Sequence, residues 1–262
     1  MRDDDVVLAL RQAGCVFAEE EARLIIAAAP RRSAELETLV ARRCAGEPLE
    51  RVVGYAEFAG IRVAIRPDVF VPRRRSERLV RDAAALLDRV EGRAPVVVDL
   101  GCGSGALLLA LLGLMQSRCT AYAIDSSPAA VACARANLAG TGADVIQGFG
   151  LKDLPATARG VVDVIMANLP YVPTDAIALL PREARLFEPS STLDGGPDGL
   201  VPLTAALAEA STWLRPGGHY VGELHESQVE AATRLAERYG FECVATVDPD
   251  DGTAVVDLTT ST

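Results

Sequence analysis

From about residue 95 to the end, short apolar runs alternate with stretches of helical periodicity, and this alternation restricts the fold more than any other feature of the chain. APVVVDL reads as a buried strand, and GCGSGALLLALLGLM as a glycine loop opening an apolar helix. TAYAID is a second strand. SSPAAVACARANLAG is a helix with Ser at its start and Gly at its end. ADVIQG is a third strand and VVDVIMANLPY a fourth that ends in a polar loop. LVPLTAALAEASTWLRPGG reads as a helix ending at Gly217 and Gly218, HYVGEL as a fifth strand, and ESQVEAATRLAERYG as a helix. FECVATVD and TAVVDLT close the chain as a hairpin. Strand–helix repetition of this kind builds an α/β parallel sheet with helices on both faces, and the closing hairpin places one antiparallel strand in it.

The first 50 residues read differently, as a small helical domain. Val6, Leu8, Leu10 and Val16 supply apolar stripes; one helix ends at Pro30, and the next opens at Ser33 and stops at Gly46. Residues 51–75 are strand-like, with Gly60 at the centre of an expected β-hairpin linker and Pro67 and Pro72 punctuating its second half. A helix then runs from about Ser76 to Val90 and opens the main domain, 76–262, with the link between the two parts lying within 66–78.

Half of the 262 residues are hydrophobic, enough for a sizeable core. Against 26 basic residues stand 36 acidic ones, net −10, which disfavours a duplex nucleic-acid binder because such proteins neutralise phosphates with basic surface. The imbalance is confined to one part of the chain: residues 1–80 are close to neutral. Any acidic or phosphate-bearing partner is therefore expected there. Six scattered Cys without a C-x-x-C pair, and only two His, give no metal site. The acidic start lacks a secretory apolar region and no apolar run approaches the length of a membrane span, so a cytoplasmic location is expected.

Asp99-Leu-Gly101-Cys102-Gly103-Ser104-Gly105 lies between a strand and a helix. Glycines there let the backbone approach a ligand, and the helix start offers free N–H groups. Asp125 ends the next strand, where an acid can accept both hydroxyls of a ribose. These features mark a nucleoside site. With Ala106 the loop also fits the dinucleotide pattern, so a nicotinamide oxidoreductase competes. Asp99 weighs against it, since a carboxylate there suits a cationic ligand such as the amino group of S-adenosylmethionine better than a pyrophosphate.

Asn168-Leu169-Pro170-Tyr171 directly follows the fourth strand, at the end of the sheet where ligands bind. Taken alone, this is equally an Asx turn locked by Pro170 with a core tyrosine. Beside a nucleoside site it carries chemistry. The Asn168 side-chain carbonyl and the Leu169 backbone carbonyl can accept both N–H bonds of a planar NH₂ group, with Tyr171 against the plane. Asn168, Pro170 and Tyr171 are therefore read as catalytic, and Asn168 also as touching the cofactor.

These motifs together resemble the HemK/PrmC protein-(glutamine N5) methyltransferases. ARRCAGEPLERVVGYAEFAGIRVAIRPDVFVPRRRSERLV is similar to that family's stretch between its helical and catalytic domains. DLGCGSG is similar to motif I of class I S-adenosylmethionine-dependent methyltransferases, ANLPYVP to the Asn-Pro-Pro-Tyr signature, and FEPSSTLDGGPDGL to the Glu-Pro…Leu-Asp-Gly-Gly-x-Asp-Gly-Leu segment. The resemblance implies a Rossmann-like seven-stranded sheet and S-adenosylmethionine held by Asp99, Gly101, Cys102, Gly103, Ser104, Gly105 and Asp125. It implies a glutamine amide as acceptor, in a protein such as a translation release factor, met by Asn168, Leu169, Pro170 and Tyr171. Glu188 and Pro189 are expected to buttress the corner at Asn168, with Glu188 counted among the substrate-binding residues. Gly195, Gly196 and Gly199 read equally as a plain turn.

The chain departs from the family pattern at three places. Leu169 stands where the family has Pro, which keeps the backbone carbonyl but matches the form seen in RNA adenine N6-dimethyltransferases. Arg75 stands where the family has an acid. Gln147-Gly148-Phe149-Gly150 lacks the family's adenine-side Asp, and Phe149 becomes the candidate to stack on the adenine. The alternatives are an RNA adenine or small-molecule N-methyltransferase, the oxidoreductase, and a cofactor-binding paralogue without turnover. Glu77 is read as a helix cap, Glu223 as lining the pocket, His225 as a loop residue without catalytic duty, and Cys102 as a small loop residue.

Overall fold

The computed structural model describes residues 1–29, 34–115 and 118–260. Pro30 and Ser33, expected at helix ends, lie outside the described residues. Four helices open the chain: α1 (Asp3–Gln12), α2 (Ala18–Ala28), α3 (Ala34–Cys44) and α4 (Leu49–Val53). They enclose their own apolar cluster of Val6, Leu10, Ile25, Leu36, Val40 and Val52. Leu8, two residues from Val6, points to the opposite side of the helix and is exposed, as is Val16; neither belongs to the buried stripe expected of it. Arg43 of α3 reaches Glu21 of α2 at 2.6 Å, and both are largely buried.

A short hairpin follows, β1 (Tyr55–Phe58) and β2 (Ile61–Ala64), with Phe58 paired to Ile61. Its two-residue turn is Ala59-Gly60, with φ of +49° and +76°, the left-handed pair that matches the twist of the flanking strands. Ala59 tolerates that conformation while its N–H donates to Glu77 Oε1 at 3.1 Å. Glu77, expected as a helix cap, instead ties the hairpin to the start of α5 (Glu77–Leu87). Ala56, Phe58 and Val63 pack with Leu79, Val80 and Ala83 of α5 on one face of the main sheet.

That sheet has seven strands: β3 (Val96–Leu100), β4 (Thr120–Asp125), β5 (Asp144–Gln147), β6 (Val162–Ala167), β7 (Leu214–His225), β8 (Phe241–Val247) and β9 (Thr253–Thr260). Their order is β5-β4-β3-β6-β7-β9-β8. All neighbours are parallel until β9, which runs antiparallel to both β7 and β8. Helices α6 (Ala106–Leu114) and α7 (Pro128–Asn137) cover the α5 face; α9 (Val201–Trp213) and α10 (Val229–Arg238) cover the other. A shorter helix, α8 (Arg182–Phe187), lies in the connection after β6.

One boundary differs from the expectation. LRPGG was expected to finish α9, yet the helix stops at Trp213 and these residues begin β7. Leu214, buried, pairs with Val162, and the register then jumps so that His219 pairs with Val164. The bulge absorbs Pro216 and the glycines, with Gly217 at φ +67°.

Candidate functional site

The order of the sheet reverses between β3 and β6, and loops at the carboxyl ends of β3, β4 and β6 open there onto a cavity of about 510 Å³. Gly101, Cys102, Gly103 and Ser104 line it from the loop after β3, and Asp125, Ser126 and Ser127 from the end of β4. Gly148 and Phe149 follow β5, and Asn168, Leu169, Pro170 and Tyr171 follow β6. The glycine loop and the Asn-Leu-Pro-Tyr corner thus face one space.

The three loop glycines have φ of +71°, +55° and +78°, a backbone path that only glycine follows without strain. At Gly105 a Cβ would press on the Cα of Ala134 at 3.3 Å, so this glycine serves the packing of α6 on α7 and does not line the cavity. Asp125 accepts from the Gly103 N–H at 2.9 Å and from the Ser127 N–H at 2.8 Å. Each oxygen keeps a further lone pair, as binding of a ribose diol requires.

Asp99 is placed differently from the sequence expectation. Its carboxylate is wholly buried and not on the cavity wall; Oδ2 accepts from the Leu108 N–H at 3.3 Å, and Oδ1 has no partner among the described residues. Burial is the main reason its carboxyl is pushed up to about 7. Direct contact with a ligand's amino group is therefore not what the geometry displays. Glu188 is also absent from the wall. It is buried, pairs with Arg73, and has no partner for Oε2 among the described residues, and burial raises its carboxyl. Pro189 does line the cavity.

The corner is buttressed by the glycine block instead. A Cβ on Gly199 would lie 2.1 Å from the Tyr171 carbonyl oxygen, and one on Gly195 2.8 Å from the Tyr171 Cα. Val172 bridges Asp194, and the Gly195 N–H donates to the Val172 carbonyl at 2.8 Å. Gln228 donates to the Tyr171 carbonyl at 2.8 Å.

Around Asn168 lies a hydrogen-bonded set of side chains from distant parts of the chain. Asn168 Nδ2 donates to Ser76 Oγ at 2.9 Å, and Ser76 Oγ donates to Glu223 Oε2 at 2.5 Å. Tyr171 Oη donates to Glu223 Oε1 at 2.9 Å and accepts from Arg75 at 3.0 Å; Arg75 Nε donates to the same Oε1 at 3.2 Å. Burial and the neighbouring Glu223 charge raise the Tyr171 phenol, so it stays protonated. Cys102, pushed up by burial, stays a thiol, and Phe149 is exposed at the cavity edge. Sequence reasoning missed the opposite wall, where Asp68, Val69, Phe70, Leu180, Pro181 and Ala184 close the space. The clustered prolines 67, 72, 173 and 181 are the one signal of rigid loops there. Among the described residues no group of His, Cys, Asp and Glu is arranged to hold a metal, and no helix is long and apolar enough to cross a membrane.

A doubly wound sheet closed by an antiparallel strand, with a glycine loop and a ribose-type acid at its crossover, defines a class I S-adenosylmethionine-dependent methyltransferase. Residues 92–256 match a family described as "Methyltransferase domain". A methyltransferase of Pyrococcus furiosus superposes with a TM-score of 0.53 over 76% of this chain and 89% of its own, at 17% identity, which supports the fold. The chain belongs to the family of release factor glutamine methyltransferases. A relative of that name from Moorella thermoacetica is 36% identical over 87% of this chain and 80% of its own. Another, from Rhodospirillum rubrum, is 35% identical over 81% of this chain, which spans 64% of that relative's length. A 4-amino-L-phenylalanine/4-methylamino-L-phenylalanine methyltransferase of Streptomyces pristinaespiralis is 37% identical over 77% of this chain and 69% of its own.

Proposed function

We propose that this protein methylates the side-chain amide nitrogen N5 of a glutamine presented by a release factor in the cytoplasm. The observation that carries the reading is the orientation of Asn168. Its Nδ2 is committed to Ser76, and among the described residues its Oδ1 has no partner, leaving that oxygen for an acceptor's N–H. The Leu169 carbonyl supplies the second acceptor, Pro170 makes the turn rigid, and Tyr171 offers its ring face. The cavity fits S-adenosylmethionine: Gly101, Cys102, Gly103 and Ser104 line one end of it and Asp125 has lone pairs for the ribose. Phe149 stands at the edge where an adenine would lie. When bound, this cofactor supplies an electrophilic methyl group on a sulfonium.

The chain's own contribution is alignment. An amide nitrogen is a poor nucleophile because its lone pair is delocalised, and holding both of its hydrogens fixes the nitrogen and its electron density toward the methyl carbon. The proton becomes strongly acidic only after nitrogen is methylated, so no general base is needed beforehand. A protonated Tyr171, already donating to Glu223, is consistent with that economy.

The charged wall residues are Arg73 and Arg75 against Asp68, Asp125, Glu183 and Glu223. This acidic balance suits a sulfonium and disfavours a phosphate backbone, which weighs against the RNA reading. Residues 1–50 act in the proposal as a separate helical unit and 51–75 as the linker to the catalytic domain, 76–262. A small arylamine acceptor is the second reading, since the Streptomyces relative is named for one and an arylamine also presents a planar NH₂. The test is transfer of labelled methyl to a purified release factor and, separately, to 4-amino-L-phenylalanine. Label in the protein that disappears when its acceptor glutamine is replaced supports the proposal; label only in the small molecule overturns it.

A further inference from the structure

Ser76 occupies the position preceding α5, where a serine ordinarily accepts from the first turn of the helix, yet its hydroxyl makes no capping bond. The hydroxyl is buried and sits between Asn168 and Glu223. Three donors converge on the buried Glu223 carboxylate: Ser76 at Oε2, and Tyr171 and Arg75 at Oε1. A carboxylate accepts only, so the single Ser76 proton is spent on it. Ser76 Oγ can then only accept from Asn168, which turns Nδ2 toward the serine and Oδ1 toward the cavity. We propose that Ser76 and Glu223 are positioning residues that impose one orientation on the Asn168 amide and so make its oxygen the acceptor of the substrate N–H.

The direction of the chain of bonds is set at the Glu223 end. Tyr171 accepts from Arg75, so its own proton must go to Oε1. Glu223→Gln keeps shape and volume but reverses the chain. Its amide oxygen takes the Oε1 place, facing Arg75 and Tyr171, and its NH₂ faces Ser76. Ser76 then accepts from residue 223 and directs its proton at Asn168, whose amide turns over and presents NH₂ to the cavity. Two donors then face each other where donor and acceptor are needed.

The inference rests on the proposed amide chemistry only for its effect on rate, and the two can be told apart. In ¹⁵N-labelled protein the Asn168 side-chain amide is assigned by its disappearance in Asn168→Asp. Glu223→Gln and Ser76→Ala are expected to shift that amide pair and speed its hydrogen exchange by about tenfold or more, as loss of a buried hydrogen bond does. Ser76→Thr keeps the hydroxyl and the parent signature. Transfer of labelled methyl from S-adenosylmethionine to a release factor should fall in kcat by roughly 10²-fold in Glu223→Gln. Calorimetric affinity for S-adenosylhomocysteine should change far less than the rate, because Glu223 makes none of the contacts assigned to the cofactor and Asn168 only one of them. Ser76→Thr should recover most of the rate that Ser76→Ala loses. An Asn168 amide unchanged in Glu223→Gln overturns the inference, whatever the rates. A changed amide with an unchanged rate supports the inferred orientation and refutes instead the role of Asn168 in transfer.

Discussion

Gly101 comes so close to Leu169 that a Cβ at position 101 would lie 2.7 Å from Leu169 Cδ2. The first glycine of the loop after β3 is thereby in contact with the second residue of the corner after β6. The two motifs are neighbours because β3 and β6 are adjacent parallel strands, Leu100 pairing with Ala167.

Gly101→Ala should therefore disturb both ends of the cavity. A left-handed conformation costs a non-glycine residue about 1–2 kcal/mol, and the Leu169 side chain must move as well. The expected outcome is a folded protein whose affinity for S-adenosylhomocysteine drops by about tenfold, measured by calorimetry. Unchanged affinity would mean that the loop does not carry the cofactor.

Asp125→Asn should weaken the same ligand by a different route. The carboxylate accepts two backbone N–H groups, and an amide NH₂ must face one of them or the ribose. Hydrogen bonds to charged groups contribute about 1.5–3 kcal/mol, so a loss of roughly 10- to 100-fold in affinity is expected by calorimetry.

Asn168→Ala removes the oxygen that holds the acceptor. The loss should be of the order that deleting one transition-state hydrogen-bonding group brings, roughly 3–4 kcal/mol, with cofactor affinity changing much less. Single-turnover transfer of labelled methyl measures it. A variant as fast as the parent would remove Asn168 from the chemistry.

Gly199→Ala tests the buttress. Its φ is +76° and the new Cβ would fall 2.1 Å from the backbone oxygen of Tyr171, which no rotamer change relieves. Overpacking against backbone costs about 1–3 kcal/mol or more, and the corner must shift to accept it. A lower melting temperature together with reduced kcat is expected; reduced stability with a full rate would show that the corner does not depend on this glycine.

Asp99 predicts a dependence on pH. Its carboxyl is pushed up to about 7, above the ordinary carboxylate range, chiefly by burial. The folded chain thus holds the proton more tightly than the unfolded chain does. Its contribution to stability is complete below about pH 4 and is lost as pH rises toward the folded value. Asp99→Asn stays neutral, so its stability relative to the parent should rise between about pH 4 and pH 8, by on the order of a few kcal/mol. Urea denaturation of both proteins without cofactor at the two pH values measures the difference. A flat difference would mean that Asp99 ionises freely.

The repeating pattern of the main domain was legible because period and turn chemistry are local. VVVDL before a glycine loop, Ser127 capping α7 and the glycine at the hairpin turn each act over a few residues. The end of α9 was not legible. LRPGG carries a helix-compatible start, and only the pairing of Leu214 with Val162 across the sheet draws it into β7. Leu8 and Val16 were misread because apolar character alone does not say which side of a helix meets a partner.

By itself the sequence determined the α/β class, the glycine loop with its spaced acid, and the Asn-Leu-Pro-Tyr corner, since each is a contiguous run whose geometry follows from neighbouring residues. Only the tertiary structure decided that Asp99 and Glu188 lie off the cavity wall and that Ser76, Glu223, Tyr171 and Arg75 meet beside Asn168. Ser76 and Glu223 stand 147 positions apart. Which way each hydrogen bond between such partners runs depends on every donor and acceptor that packing brings to the same point, and no local rule encodes that.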